Sequence, residues 1–267
     1  MRSLKELMSL AGRVAVITGG AGHLGRAMAE SLGELGATVV LVDIAGGAAA
    51  KVASEVRASH GVEALPLEVD LADEPAVRGV PPTVLGRLGR LDILINNAAL
   101  VGTSALAGWA VPFAEQSSAT WRAALEVNLT AAFVLAQAAA PALSASGHGA
   151  VINVGSTYGV VGPQMTLYAG TPLGNPAAYA ASKGGLLQLT RWMATVLAPA
   201  VRVNAITPGG IWRQQPDSFV RRYEALTPLG RMASEEDFKG AVAYLASDLS
   251  RYVTGHNLVV DGGWTAW

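Results

Sequence analysis

The segment Val14-Ala15-Val16-Ile17-Thr18-Gly19-Gly20-Ala21-Gly22-His23-Leu24-Gly25 decides which fold this 267-residue chain adopts. It begins with an apolar run typical of a buried strand and continues through a glycine loop into an alanine-rich helical stretch. Glycine permits close approach of backbone to a pyrophosphate, and free N–H groups at a helix N-terminus bind its charge. An ordinary glycine turn is the alternative interpretation. The residues expected to touch a bound dinucleotide are Gly19, Gly22, His23, Leu24 and Gly25.

The next predicted strand, residues 38–42, is a β-branched run that ends at Asp43, about twenty residues beyond the loop. A carboxylate at this position of a dinucleotide-binding unit accepts hydrogen bonds from the adenosine ribose and repels a 2′-phosphate. No arginine or lysine stands next to Asp43, so the sequence favours NAD over NADP as cofactor. A solvated aspartate at a strand end is the alternative.

Strand-like and helix-like stretches alternate along the rest of the chain. A helix is predicted over residues 48–59, and further strands over 62–69, 91–95, 150–154, 201–206 and 258–260. This alternation indicates an α/β fold, a doubly wound, mostly parallel seven-stranded Rossmann sheet with helices on both faces, in a single domain over 1–267. Residues 73–88 should form a helix that Pro81 and Pro82 break or kink.

Polar and small residues follow several strands, where ligands of open parallel sheets bind. Ser156, after the strand 150–154, could donate a hydrogen bond to a substrate oxygen. Other strand ends supply candidate cofactor contacts. These are Asp70 and Leu71 against the adenine, Asn97 and Ala98 along the cleft, and Pro208, Gly209 and Ile211 in a turn against which a flat ring could lie.

A second stretch, Asn175-Pro176-Ala177-Ala178-Tyr179-Ala180-Ala181-Ser182-Lys183-Gly184-Gly185-Leu186, spaces a tyrosine and a lysine so that they share one helical face. An ammonium beside a phenol favours the phenolate, so Lys183 would lower the pKa of Tyr179 toward working pH. Such a tyrosine could exchange protons with a substrate alcohol or carbonyl. The alternative is a surface lysine beside a half-buried tyrosine.

Asn128 is the remaining candidate catalytic residue. It lies among apolar neighbours in a long helix predicted over residues 120–143, and a buried amide needs hydrogen-bond partners. Two interpretations stay open, a satisfied core amide and a catalytic side chain.

Three stretches without clean periodicity, near residues 100–118, 159–175 and 212–229, are expected to surround the substrate. The part from 213 onward is predicted to be a mobile lid. Thr157, Tyr158 and Gln164 on one side, with Arg213, Gln214 and Gln215 on the other, offer donors and acceptors, and Trp212 could stack on a ring. These residues predict a small hydroxylated substrate, sugar-like or polyol-like, and an acidic one if Arg213 points inward.

Composition narrows the function classes further. The chain is 51% hydrophobic and 15% charged with a net charge of -1, so neither nucleic acid nor a membrane is an expected partner. There is no cysteine, and the four histidines are dispersed, so no metal site is expected. The N-terminal stretch lacks the apolar run of a signal peptide, which favours a cytoplasmic protein.

Taken together, these motifs resemble the short-chain dehydrogenase/reductase family, in its compact single-domain type, over residues 14–264. The resemblance implies that Tyr179 is the general acid/base, that Lys183 binds the nicotinamide ribose, that Ser156 holds the substrate oxygen and that Asn128 anchors a water. It also implies a homotetramer or homodimer. The alanine-rich helices 120–143 and 176–197 would permit close helix contact between subunits.

Three positions depart from the family pattern. His23 stands where compact members usually have glycine. The gap from Ser156 to Tyr179 is longer than usual, and the excess falls within residues 164–175. Ile211-Trp212-Arg213 replaces a threonine that often follows the Pro-Gly pair.

The predicted function is an NAD-dependent oxidoreductase that interconverts a secondary alcohol and a ketone on a small hydroxylated substrate. The alternatives are an NAD(P)-dependent 3-oxoacyl-type ketoreductase, a nucleotide-sugar epimerase or dehydratase, and a protein that senses NAD without turnover.

Overall fold

The computed structural model describes residues 1–102 and 104–267. Within these residues seven strands form one sheet in the order β3-β2-β1-β4-β5-β6-β7, and all neighbouring pairs are parallel. The strands are β1 (Val14–Thr18), β2 (Thr38–Asp43), β3 (Ala64–Glu68), β4 (Ile93–Asn96), β5 (Gly149–Val154), β6 (Val201–Pro208) and β7 (Asn257–Val260). The predicted doubly wound α/β fold is confirmed.

Helices cover both faces of the sheet. The helices are α1 (Leu4–Met8), α2 (His23–Glu34), α3 (Gly46–His60), α4 (Glu74–Leu88), α5 (Ser118–Leu125), α6 (Ala131–Ala145), α7 (Ala177–Val196), α8 (Asp217–Ala225) and α9 (Lys239–Ala246). Of these, α2, α3 and α9 lie on one face and α4, α6 and α7 on the other. Alternate strand residues point to opposite faces. In β1, Ile17 packs toward α2, α3 and α9, whereas Val16 packs toward α4, α6 and α7.

The predicted break at Pro81 and Pro82 is wrong, because α4 continues through both prolines. Each proline removes a donor from the helical ladder. The helix is held by tertiary packing instead, since Val77, Val80 and Val84 are buried against the core on the α6 side.

The predicted helix 120–143 is longer and less regular than expected. α5 continues through a π turn, Glu126–Thr130, into α6, which makes 28 residues of unbroken helix. By length and composition this helix could cross a membrane. Its residues Val134, Leu135, Ala139 and Leu143 nevertheless lie in the core of this fold.

The predicted irregular stretches contain short helical elements. The turn Phe113–Glu115 lies in the first, Met165–Tyr168 in the second, and the whole of α8 in the predicted lid. Residue 103 of the first stretch lies outside the described residues. The lid is therefore better described as a helix that packs on the second stretch, because Arg222 of α8 donates to the main-chain oxygens of Leu167 and Ala169.

Candidate active site

A cleft of about 1360 Å³ opens at the carboxyl edge of the sheet, where all the parallel strands end. Most residues predicted for the site line this one cleft. They are Gly19, Gly22, His23, Leu24, Gly25, Asp43, Asp70, Leu71, Asn97, Ala98, Ser156, Tyr179, Lys183, Pro208, Gly209 and Ile211. The predicted residue that is not part of the described cleft wall is Asn128, whose neighbour Val127 does line it.

The glycine loop leaves no space for larger side chains. Gly19 has a positive φ of 63°, and a Cβ on Gly25 would lie 2.1 Å from the Gly19 oxygen. α2 begins directly after Gly22, so its first N–H groups face the cleft without a capping side chain in the way. Such a cradle fits the pyrophosphate of a dinucleotide.

A hydrogen-bonded clamp, which local sequence does not reveal, holds this loop against the sheet. The Thr18 hydroxyl accepts the main-chain N–H groups of Asn97 and Ala98 at 3.0 and 3.1 Å. In return, the Asn97 amide donates to the main-chain oxygens of Thr18 and Gly19. Thr18 is therefore a positioning residue. The sequence feature that could have identified it is its place as the last residue of β1.

Asp43 ties the end of β2 to the glycine loop. One carboxylate oxygen accepts the Ala21 N–H and the other accepts the Ala45 N–H, both at 3.0 Å. Each oxygen still has a lone pair for a further donor. The carboxylate lines the cleft where the adenosine ribose of a dinucleotide would lie.

Tyr179 and Lys183 lie on successive turns of α7, as predicted, with the Lys183 Nζ 5.9 Å from the centroid of the Tyr179 ring. The ammonium donates instead to the Val154 oxygen at the end of β5, at 2.6 Å. Burial lowers the pKa of Lys183 to about 8.

The pKa of Tyr179 is raised and not lowered, contrary to the expectation. Enclosure of the phenol raises this pKa, the hydrogen bond with Ser156 opposes the rise, and the nearby Tyr168 phenol adds to it. Desolvation disfavours the phenolate more than a buried ammonium 5.9 Å from the ring favours it. The geometry nevertheless brings the Ser156 hydroxyl and the Tyr179 phenol together, as two groups that can hold one substrate oxygen.

Asn128 sits in the π turn and is fully engaged with protein groups. Its oxygen accepts the Leu100 N–H at 2.7 Å, and its amide donates to the Leu100 oxygen and to the Ser182 hydroxyl, both at 3.1 Å. Ser182 in turn donates to the Tyr179 main-chain oxygen at 2.9 Å. These bonds position the loop after β4 and the helix of Tyr179, and the water-anchoring role of Asn128 stays a prediction.

Several polar residues predicted to meet the substrate are used within the protein. Arg213 forms an ion pair with Glu235, and the Gln215 amide bonds the main chain at Arg213 and Ile211. Gln164 lies outside the cleft wall as far as the described residues define it. The other predicted residues, Thr157, Tyr158, Trp212, Arg213, Gln214 and Gln215, do line the cleft, together with residues that were not predicted, Tyr168, Leu173, Phe219, Tyr223 and Met232.

Comparisons with known proteins agree with this geometry. A family model described as "Enoyl-(Acyl carrier protein) reductase" matches residues 19–265. A solved short-chain type dehydrogenase/reductase from Mycobacterium marinum superposes with a TM-score of 0.87 at 32% identity, covering 100% of both chains. The chain belongs to the short-chain dehydrogenase/reductase family.

Two dehydrogenases are similar to it over almost their full length. A cis-4-hydroxycyclohexanecarboxylate dehydrogenase from Sinomonas cyclohexanicum is 37% identical over 97% of this chain and 98% of the relative. A 2,5-dichloro-2,5-cyclohexadiene-1,4-diol dehydrogenase from Sphingobium indicum is 33% identical over 96% of this chain and 97% of the relative. As a short-chain dehydrogenase/reductase, the protein is an oxidoreductase that acts on CH–OH groups with a nicotinamide dinucleotide.

The lowered pKa of Lys183 makes a prediction about stability. The folded, cofactor-free protein releases this proton near pH 8, whereas the unfolded chain keeps it up to about its ordinary pKa of 10.5. Between these values the unfolded chain binds more protons, so the free energy of unfolding rises with pH. Lys183→Met removes the rise, which amounts to at most about 3 kcal/mol.

Urea unfolding of the wild type and Lys183→Met at pH 7, 8, 9 and 10 measures the effect. We expect the stability of the wild type relative to the variant to increase above pH 8. Parallel pH profiles for the two proteins would contradict the lowered pKa.

Proposed function

We propose that this short-chain dehydrogenase/reductase interconverts a secondary alcohol and a ketone on a small hydroxylated substrate with NAD as cofactor. The observation that carries the proposal is the single cleft that holds Asp43 at one end and Ser156 with Tyr179 at the other. The two dehydrogenases of oxygenated six-membered rings to which the chain is similar support a small substrate rather than a long acyl chain.

The protein residues position the substrate and transfer a proton. A bound nicotinamide dinucleotide supplies hydride transfer at the substrate carbon. Ser156 donates a hydrogen bond to the reacting oxygen, and Tyr179 removes its proton in the oxidation and returns it in the reduction. Lys183, held by Val154, faces the same phenol and offers its remaining N–H donors to the nicotinamide ribose.

Asp43 is the basis for proposing NAD. A carboxylate and a 2′-phosphate about 4 Å apart would repel each other by about 4 kcal/mol near a protein surface. The adenosine end of the cleft therefore favours ribose hydroxyls.

We expect the wild type to use NAD at least about 100-fold more efficiently than NADP, measured as kcat/KM. Asp43→Asn keeps the side-chain shape and removes the charge, so it should shrink this ratio by at least about tenfold. Asp70→Asn is the matched control, since it removes a neighbouring cleft charge and should change both cofactors alike. An NADP preference in the wild type would contradict the proposal.

Tyr179→Phe should lower kcat by about 100- to 10,000-fold, because it removes the proton-transferring group and little else. NAD affinity, measured by calorimetry, should stay close to the wild-type value. Tyr252→Phe is the control, since Tyr252 is 100% exposed. The readout is accumulation of NADH, which an epimerase that returns the hydride to its product would not give. Near-normal kcat in Tyr179→Phe would place the chemistry elsewhere.

We also propose that two or more copies associate through the outer faces of α6 and α7. Large apolar side chains are exposed there, including Phe133 at 37%, Trp192 at 54% and Val196 at 51%. Small alanines along both helices permit close contact across a symmetric interface.

Sedimentation tests this association. The wild type should sediment as an oligomer, and Trp192→Glu should shift it toward the 27.4 kDa monomer. Trp212→Glu is the matched control, because Trp212 is 55% exposed but lies in the cleft wall. A wild-type monomer at micromolar concentration would reject the proposal.

A further inference from the structure

The substrate end of the cleft has an aromatic wall built by the two stretches that flank α7 in sequence. Tyr168 lies 5.5 Å from Phe219, and Phe219 and Tyr223 stack at 6.0 Å between ring centroids. Tyr223 also stacks on Trp264 at 5.9 Å, and the Tyr158 ring meets Trp264 edge-on. A wall of this kind favours a compact apolar body such as a carbocycle over an open polyol chain.

Two phenols of this wall form a polar pair. The hydroxyls of Tyr158 and Tyr168 lie 2.7 Å apart, and both residues line the cleft. Burial raises the pKa of each phenol, so both stay protonated at neutral pH. Two hydroxyls carry two protons, and the bond between them uses one. The pair therefore keeps one O–H donor for a third group.

Asn175 supports this pair from outside the described cleft wall. Its side chain lies against both phenols, and its Oδ1 atom is buried. Asn175 is therefore a positioning residue for the two phenols. Tyr168 and Asn175 both belong to the extra residues between Ser156 and Tyr179.

The pair lies in the same cleft wall as the reacting groups Ser156 and Tyr179. The α8 side chain Arg222 holds the turn that carries Tyr168, through the bonds to Leu167 and Ala169. One cleft thus offers two sites for oxygen. The first is Ser156 with Tyr179, and the second is Tyr158 with Tyr168.

We propose that the phenols of Tyr158 and Tyr168 bind the second hydroxyl of a neutral alicyclic diol, whose ring packs against the aromatic wall while its first hydroxyl reacts at Tyr179. This inference rests on the proposed function and specifies its substrate class. The two phenols would determine specificity without taking part in the proton or hydride transfer.

A hydroxyl matches this site better than a carboxylate does. It can accept the free phenolic O–H without bringing a charge, whereas a carboxylate would place its charge against the aromatic wall. The charged groups of the described cleft wall also disfavour an anion here. Arg213 is neutralised by Glu235, and the Lys183 ammonium is turned toward Val154.

The test compares cyclohexane-1,4-diol, cyclohexanol and 4-hydroxycyclohexanecarboxylate with the wild type and Tyr158→Phe/Tyr168→Phe in the presence of NAD. We expect the wild type to favour the diol over the other two by at least about tenfold in kcat/KM. The double variant keeps both rings and removes both hydroxyls. In this variant kcat/KM for the diol should fall to the value for cyclohexanol, so the ratio of the two, not the absolute rate, is the readout.

Tyr223→Phe is the matched control within the same wall, because the Tyr223 hydroxyl already accepts the Gly210 N–H. It should change the rates with diol and cyclohexanol by the same factor. Calorimetric affinity for the diol is measured in parallel. A diol preference in binding that the double variant abolishes would support the inference even if no NADH formed, in which case only the proposed function would fail.

Oxidation of diol and cyclohexanol with equal efficiency would overturn the inference and leave the proposed function standing. A preference for the carboxylate, or a diol preference that survives in the double variant, would overturn it as well. Equal affinity for diol and cyclohexanol in an inactive wild type would reject both proposals.

Discussion

The reciprocal hydrogen bonds between Thr18 and Asn97 are the constraint on which the cofactor end depends. They join the carboxyl ends of β1 and β4, the two central strands from which the chain winds in opposite directions. The glycine loop leaves β1 at this point, and Gly25 packs against both Gly19 and Asn97. The start of α2, and hence the direction of its free N–H groups, is fixed by this contact.

The cleft divides into two halves that are built by different means. At the cofactor half, main-chain groups and short side chains at strand ends do most of the positioning, so parallel pairing alone brings them together. At the substrate half, side chains from residues 159–175, α8 and the C-terminal Trp264 meet only after the chain has folded. The cofactor half can therefore serve enzymes that catalyse many different reactions, whereas the substrate half determines which substrate binds.

This division explains how far sequence could predict the site. The glycine loop, Asp43 and the Tyr179–Lys183 pair follow from spacing within one element, and all of them line the cleft. Two other interactions depend on contacts between separate loops, which sequence periodicity cannot show. They are the ion pair of Arg213 with Glu235 and the hydrogen bond between the Tyr158 and Tyr168 hydroxyls. The prolines of α4 misled prediction for a related reason, since burial of Val77, Val80 and Val84 outweighs the local cost of two missing donors.

The π turn around Asn128 has a consequence for the length of its helix. A π turn holds more residues than an α turn, and losing one residue there would let the ladder close as a regular α-helix. The portion before the deletion would then rotate by about 100° relative to α6. Asn128 would lose its bonds to Leu100 and Ser182, although every apolar residue of α6 could stay in place. The number of residues in this helix, and not only their chemistry, therefore determines whether Asn128 reaches its partners beside the active site.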